Sequence, residues 1–222
     1  MDSIRINRVL LGPAVKPVLF VACLLPALWL VFAAVTDQLG ANPAEALIRS
    51  SGDWTLRMLC AVLAVTPLRV LLNLAALARL RRMLGLYVYF YATLHLLCYA
   101  GFDMGLDVGD ITRDIAKRPF ILVGFSALVL LTPLALTSSN RAIRWLGAAR
   151  WQALHRLVYA VAALAVLHFF WMRAGKHNFA EVQVYAAVLG TLLGWRLWRA
   201  VSARQRGRRA VRRQARVDQG LG

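Results

Sequence analysis

Four histidines, His95, His155, His168 and His177, are the side chains best suited to redox-metal or proton chemistry, and the first three fall inside long apolar stretches. An ionisable group in such a stretch is costly and usually marks a functional site or a pairing partner. A single one is explained by an interhelical hydrogen bond. Three need a joint explanation. His95 lies 13 residues after Arg82 and His168 lies 12 residues after Arg156, which at ~1.5 Å per helical residue puts them roughly 20 and 18 Å from a basic collar. Two neutral imidazoles at one height, on helices running the same way, can meet a flat metal-centred macrocycle from opposite faces. That is six-coordinate b-type haem, with His95 and His168 as the candidate iron ligands.

His155 precedes His168 by 13 residues, about 20 Å along a helix, so it belongs near the basic end. No histidine stands at matching depth on the stretch that carries His95, where the residues are Arg81, Arg82 and Met83. Three readings stay open: a ligand of a second haem with a non-histidine partner, a contact to a quinone or flavin alongside Arg69 and Arg156, or an interfacial histidine at a helix entry. Cys23, Cys60 and Cys98 each lie in an apolar stretch, and no CxxC or CxxCH occurs. They read as small buried hydrophobes, which argues against c-type haem, cysteine-ligated zinc and iron–sulfur clusters.

The surroundings of the histidines suit a macrocycle. Tyr87, Tyr89, Phe90, Tyr91 and Tyr99 flank His95, and Phe169, Phe170 and Trp171 flank His168; all offer large apolar surfaces. Gly85, Gly101 and Gly124 offer close backbone approach. Each signal is weak alone, because aromatics gather at membrane interfaces and small residues at helix contacts in any bundle.

The elements that position these residues follow from hydropathy. The chain has 222 residues, 60% of them hydrophobic, with a mean hydropathy of +0.59, well above the roughly 45–50% apolar content of a soluble domain. About 20 consecutive apolar residues cross a ~30 Å hydrocarbon layer as a helix, and six such blocks are present: Val18 to Val35, Leu56 to Ala76, Met83 to Phe102, Pro119 to Leu136, Gln152 to Met172 and Val182 to Ala200. Lipid provides no water for backbone amides, so each span must be a helix. The expected fold is an all-α integral membrane bundle of six transmembrane helices over residues 1–203, with no repeat. A basic tail, 204–222, is expected to lack fixed structure. The 18-residue first block exceeds the roughly 7–15 of a signal-peptide core and reads as an uncleaved first helix.

The net charge of +17 raises nucleic-acid binding, but positive residues collect on cytoplasmic loops of membrane proteins, and no nucleic-acid partner is expected. One side gathers the N-terminal basic residues, Arg79, Arg81 and Arg82, then Arg141, Arg144 and Arg150, then the tail. That side is assigned to the cytoplasm, with both termini on it. The other side holds Asp37, Asp53 and the run Asp103, Asp107, Asp110 and Asp114, diluted by Arg113, Lys117, Arg118, Arg173 and Lys176. Intervals of four, three and four would align that aspartate run on one helix face, as a solvated surface or a docking surface.

The stretches TPLR (Thr66 to Arg69), RRMLGLYVYFYATLHLL (Arg81 to Leu97), KRPFILVGF (Lys117 to Phe125), LTPLALTSSN (Leu131 to Asn140), WQALHRLVY (Trp151 to Tyr159) and LHFFW (Leu167 to Trp171) occur in this order. Together they resemble the MsrQ (YedZ) family of haem-binding membrane subunits, in the ferric-reductase-like transmembrane superfamily. The likeness runs from about Leu10 to Ala200. It implies b-type haem, FMN as a candidate flavin, and location in the bacterial inner membrane. It also implies electron transfer from the quinone pool to MsrP, a periplasmic molybdopterin enzyme that reduces methionine sulfoxide in oxidised proteins. His95, His155 and His168 fall on the family's three intramembrane histidines.

Larger relatives carry a flavin and nicotinamide domain, whereas about 22 residues follow the last span here and no G-x-G-x-x-G occurs; a separate donor is expected. The chain therefore reads as an electron-transfer subunit with no catalytic residues of its own. The alternative is a stand-alone transmembrane metal or ferric reductase fed by a cytosolic flavin reductase. A transporter or structural protein would leave the histidines unexplained.

Overall fold

Local chemistry fixes where each helix begins and ends. The computed structural model describes residues 2–174 and 179–220; His177 and Lys176 lie outside the described residues. The elements are α1 (Asp2–Leu10), α2 (Val15–Val35), α3 (Pro43–Leu71), a 3-10 turn (Ala75–Arg79), α4 (Arg81–Cys98), a π turn (Tyr99–Asp103), α5 (Val108–Lys117), α6 (Pro119–Leu136), α7 (Asn140–Leu146), α8 (Ala148–His155), α9 (Leu157–Ala174) and α10 (Ala180–Gly220).

The all-helical membrane architecture is as expected. Among the described residues five helical segments are long and apolar enough to cross a bilayer: Val15–Val35, Pro43–Leu71, Arg81–Asp103, Pro119–Leu136 and Ala148–Ala174. The first half of α10 occupies the sixth expected block, but Arg196 and Arg199 fall within it and lower its hydropathy. From residue 204, where a stretch without fixed structure was expected, α10 continues to Gly220. Arg, Ala and Gln are good helix formers, so the composition that reads as low complexity also favours helix.

The largest boundary difference is at α3, which starts at Pro43 rather than Leu56. The Asn42 side chain caps it by accepting from the Glu45 amide at 3.1 Å, proline occupies the first turn, and Glu45 lies at the positive end of the helix dipole. These start signals outweigh the low hydropathy of the polar run Arg49 to Trp54. As a result Ser51 and Gly52 lie inside a helix and against a neighbour.

Two helix pairs form the bundle. α3 packs along α4, α6 packs along α9, and the pairs meet where α4 touches α6; α10 closes the bundle against α3 and α9. Leu59, Leu63, Val88, Ala162 and Leu189 are almost fully enclosed. Tyr91, also enclosed, donates to the Cys23 carbonyl at 2.7 Å, and Tyr87 donates to the Phe20 carbonyl at 2.7 Å, tying α4 to α2. Outward-facing Phe20, Leu25, Leu28, Trp29, Val31 and Phe32 stay open. A continuous apolar surface of that kind needs lipid rather than water around it.

Candidate functional site

His95 on α4 and His168 on α9 face each other across the junction of the two helix pairs, with ring centroids 6.1 Å apart. Each ring is held by the same device. The Nδ1 of His95 lies 2.8 Å from the Ile48 carbonyl oxygen, and the Nδ1 of His168 lies 2.6 Å from that of Phe120. A carbonyl cannot donate, so each Nδ1 carries the proton and donates it, leaving Nε2 with a bare lone pair. This second interaction fixes tautomer and ring orientation as in metal-binding imidazoles.

A glycine sits one helical turn after each accepting carbonyl. A Cβ at Gly52 would lie 3.2 Å from the His95 ring, and one at Gly124 would lie 2.8 Å from the His168 ring. Only hydrogen at Gly124 lets the His168 imidazole lie where it does, while at Gly52 a Cβ would ask the His95 ring to give by a few tenths of an ångström. The α3/α4 and α6/α9 pairs therefore repeat one arrangement, carbonyl, glycine and imidazole, although the sequence carries no visible repeat.

The spacing fits a metal ion between the rings. Two metal–imidazole bonds of about 2 Å in line, plus roughly 1 Å from each nitrogen to its ring centre, come to roughly 6 Å. Among the described residues no group of three or more His, Cys, Asp or Glu side chains could hold a metal ion. Two imidazoles alone leave four equatorial positions to a macrocycle, so the donor set fits haem better than a bare ion. A cavity of ≈ 290 Å³ surrounds the rings, near the lower end of the ~300–1,000 Å³ of small-molecule pockets. Leu59, Val88, Leu128, Leu131 and Val161 line its depth, and Arg49, Asp53, Asp103, Arg118 and Arg173 also line it.

Several residues singled out in the sequence play other parts. Of the aromatics, Tyr99 and Phe169 line the cavity. Tyr87 and Tyr91 bind α2 instead, and Phe90, Phe170 and Trp171 are exposed on the outer face. Gly124 is in tight contact as expected, whereas Gly85 has only an ordinary contact to Val62 and Gly101 has none. Gly52 and the Phe120 ring, stacked on His168 at 27° and 6.2 Å, were missed. The start signals at Asn42 and Pro43 would have placed Gly52 in a helix. Nothing in the sequence pairs it with His95.

His155 lies apart from the other two. It ends α8, its Nδ1 donates to the Trp151 carbonyl at 3.0 Å, and its ring stacks on Trp151 at 3.9 Å. Its Nε2 is buried with no hydrogen-bond partner among the described residues. The Leu134 backbone also interacts with the ring without making a hydrogen bond to Nε2, and a buried nitrogen left unpaired marks a place where another group fits. Arg81 is the cation that interacts with it, while Arg69 and Arg156 are exposed. Arg69 lies near Arg81, as does Arg196, which donates to the Leu63 carbonyl at 2.7 Å.

The aspartate run does not share one helix face. Asp107 caps α5 by accepting from the Asp110 amide at 2.8 Å, and Asp103 ends the preceding π turn. Only Asp110 and Asp114 lie on α5. Asp114 accepts from the Tyr99 hydroxyl at 2.7 Å and pairs with Arg118 at 2.8 Å. Leu106, at φ 63, turns the chain between the two elements, so the interval pattern spans a turn that breaks its register.

Residues 51–166 match the family of ferric reductase like transmembrane components. A protein-methionine-sulfoxide reductase heme-binding subunit MsrQ of Polaromonas naphthalenivorans is 70% identical over 85% of this chain and 86% of its own length. Its counterparts in Ralstonia nicotianae and Rhodospirillum rubrum are 55% and 50% identical, over 83% and 85% of this chain and 85% and 90% of theirs. No solved structure matches the chain.

Proposed function

This chain belongs to the MsrQ family of haem-binding subunits of protein-methionine-sulfoxide reductase, among the ferric-reductase-like transmembrane components, and from that premise we propose that it holds b-type haem between His95 and His168. It carries electrons from the quinone pool across the bacterial inner membrane to the periplasmic molybdopterin reductase MsrP. The chain is the electron-transfer subunit and leaves reduction of methionine sulfoxide to its partner. The observation that carries the reading is the pair of oriented imidazoles 6.1 Å apart, each with Nδ1 committed to a carbonyl and Nε2 bare.

Haem, when bound, supplies one-electron redox chemistry. The protein's own part is to orient it. Ile48 and Phe120 hold the two imidazoles in the ligating tautomer, Gly52 and Gly124 admit the rings, and the aliphatic lining keeps water from the cavity depth, which sets the local dielectric and hence the potential. His155, with its buried, unpaired Nε2, is a candidate ligand of a second haem, or a contact for quinone or FMN alongside Arg69 and Arg156, with Arg81 the cation that acts on it. The basic loops orient the bundle with both termini in the cytoplasm, and the arginine-rich stretch 204–222 lies where anionic lipid attracts it.

The test is spectroscopic. His95→Ala and His168→Ala should each abolish a low-spin bis-histidine haem spectrum, since each removes one axial bond. Unchanged spectra in both variants would defeat the assignment. Delivery of electrons to purified MsrP, compared with delivery to ferric chelates, separates the subunit role from a stand-alone ferric reductase.

A further inference from the structure

The charged lining of the cavity is gathered at one end. Arg49 follows Ile48, whose carbonyl holds His95; Arg173 comes five residues after His168; and Asp103 comes eight after His95. All lie toward the α5 end, while the opposite depth is aliphatic. A cavity polarised in this way fits an amphipathic disc with its charge on one edge.

Arg173 stands out among these residues. Its side chain is 12% exposed, its Nη2 donates to Glu181, and its guanidinium lies over the Phe169 ring at 5.3 Å. Its Nε is buried with no partner among the described residues. Guanidinium offers five donors, and a buried donor left unmade is costly enough that a partner is expected. Arg49, paired with Glu45 at 2.5 Å, and Arg118, paired with Asp114, keep spare donors at the same mouth. Asp53 interacts with both Arg173 and Arg49 and Asp103 lines the same end, so an incoming anion competes with these carboxylates for the arginines.

We propose that Arg173, with Arg49 beside it, binds the propionate carboxylates of the haem and so turns the charged edge of the macrocycle toward the α5 end of the bundle. This rests on the haem lying between His95 and His168. Carboxylates taken into a low-dielectric site require paired cations, and a bidentate guanidinium supplies both charge and direction. The cation also disfavours loss of an electron from the iron, holding the potential up.

Haem content per chain and midpoint potential, measured on the full chain in lipid nanodiscs, test this. Arg173→Gln should keep the low-spin spectrum, lose haem faster, and shift the reduction equilibrium toward the oxidised form by about tenfold, or 59 mV for one electron. Arg173→Lys should recover most of the shift, and Arg49→Gln should move it less in the same direction. Arg113→Gln, an equal charge change outside the cavity lining, should leave it in place. Wild-type potentials and haem retention in both Arg173→Gln and Arg49→Gln overturn the proposal while the histidine reading stands, and so does an equal shift in Arg113→Gln. If Arg173→Gln does not accumulate, Arg49→Gln and Arg173→Lys decide on the same readouts. A wild-type chain without low-spin haem would instead overturn the reading beneath it.

Discussion

Replacing Gly124 with alanine tests the imidazole cradle directly. The new Cβ would lie 2.8 Å from Cε1 and Nδ1 of His168 and 3.1 Å from its Cγ, against an optimal carbon separation of about 3.5–4.0 Å. The ring must retreat by most of an ångström. Retreat lengthens its 2.6 Å hydrogen bond to Phe120 and pushes Nε2 toward His95, into the space a metal would occupy. Overpacking of this size costs about 1–3 kcal/mol, whereas alanine recovers only about 0.5–1 kcal/mol of helix propensity over glycine. The steric cost wins over nearly all of that range, leaving a net penalty of up to about 2.5 kcal/mol, and haem occupancy at limiting haem should fall by up to roughly seventyfold. At Gly52 the same substitution meets His95 at 3.2 Å, a shift of a few tenths of an ångström. There the two effects nearly cancel, and Gly52→Ala should stay close to wild type. The assay is haem per chain by pyridine haemochrome, with the low-spin band followed through a thermal ramp. Gly124→Ala with wild-type occupancy and melting would refute the cradle, as would a larger loss at Gly52 than at Gly124.

Three further outcomes follow from the same geometry. His155→Ala should keep the His95/His168 spectrum but slow reduction by quinol or flavin donors by roughly tenfold or more, the scale on which loss of a supporting residue at a metal site is felt; stopped-flow reduction at the wild-type rate would leave His155 an interfacial residue stacked on Trp151. Reporter fusions after Arg82, Arg150 and Gly222 should all report cytoplasm, and a periplasmic signal at two of them would invert the topology. Reversal of Asp110 to Lys, which spares the Asp107 cap, the Asp114 pair and the cavity-lining Asp103, should slow electron delivery to MsrP at low salt with the haem spectrum intact. That defect should shrink as salt rises, since exposed charges are screened over ~10 Å at 0.1 M, and an unaffected rate at low salt would place docking elsewhere.

The sequence by itself determined what depends on local periodicity and on distance along a helix. Hydropathy marked the spans, because each helix in lipid must satisfy its own backbone. A fixed rise per residue put His95 and His168 at one height, and the 6.1 Å between their rings agrees with that. Hydropathy failed at the start of α3, where capping by Asn42 outweighed polarity, and helical spacing failed at the aspartate run, where a turn at Leu106 interrupted it. Only the tertiary structure decided what faces the histidines. Ile48 and Phe120 stand 47 and 48 residues from the imidazoles they hold, and Gly52 and Gly124 matter only through the rotation of α3 and α6 about their axes. The unpartnered Nε of Arg173 and Nε2 of His155 likewise become visible only once packing has enclosed them. Helix rotation and cross-helix contact are set by the fit of whole faces against one another, and no local pattern in one helix records what its neighbour presents.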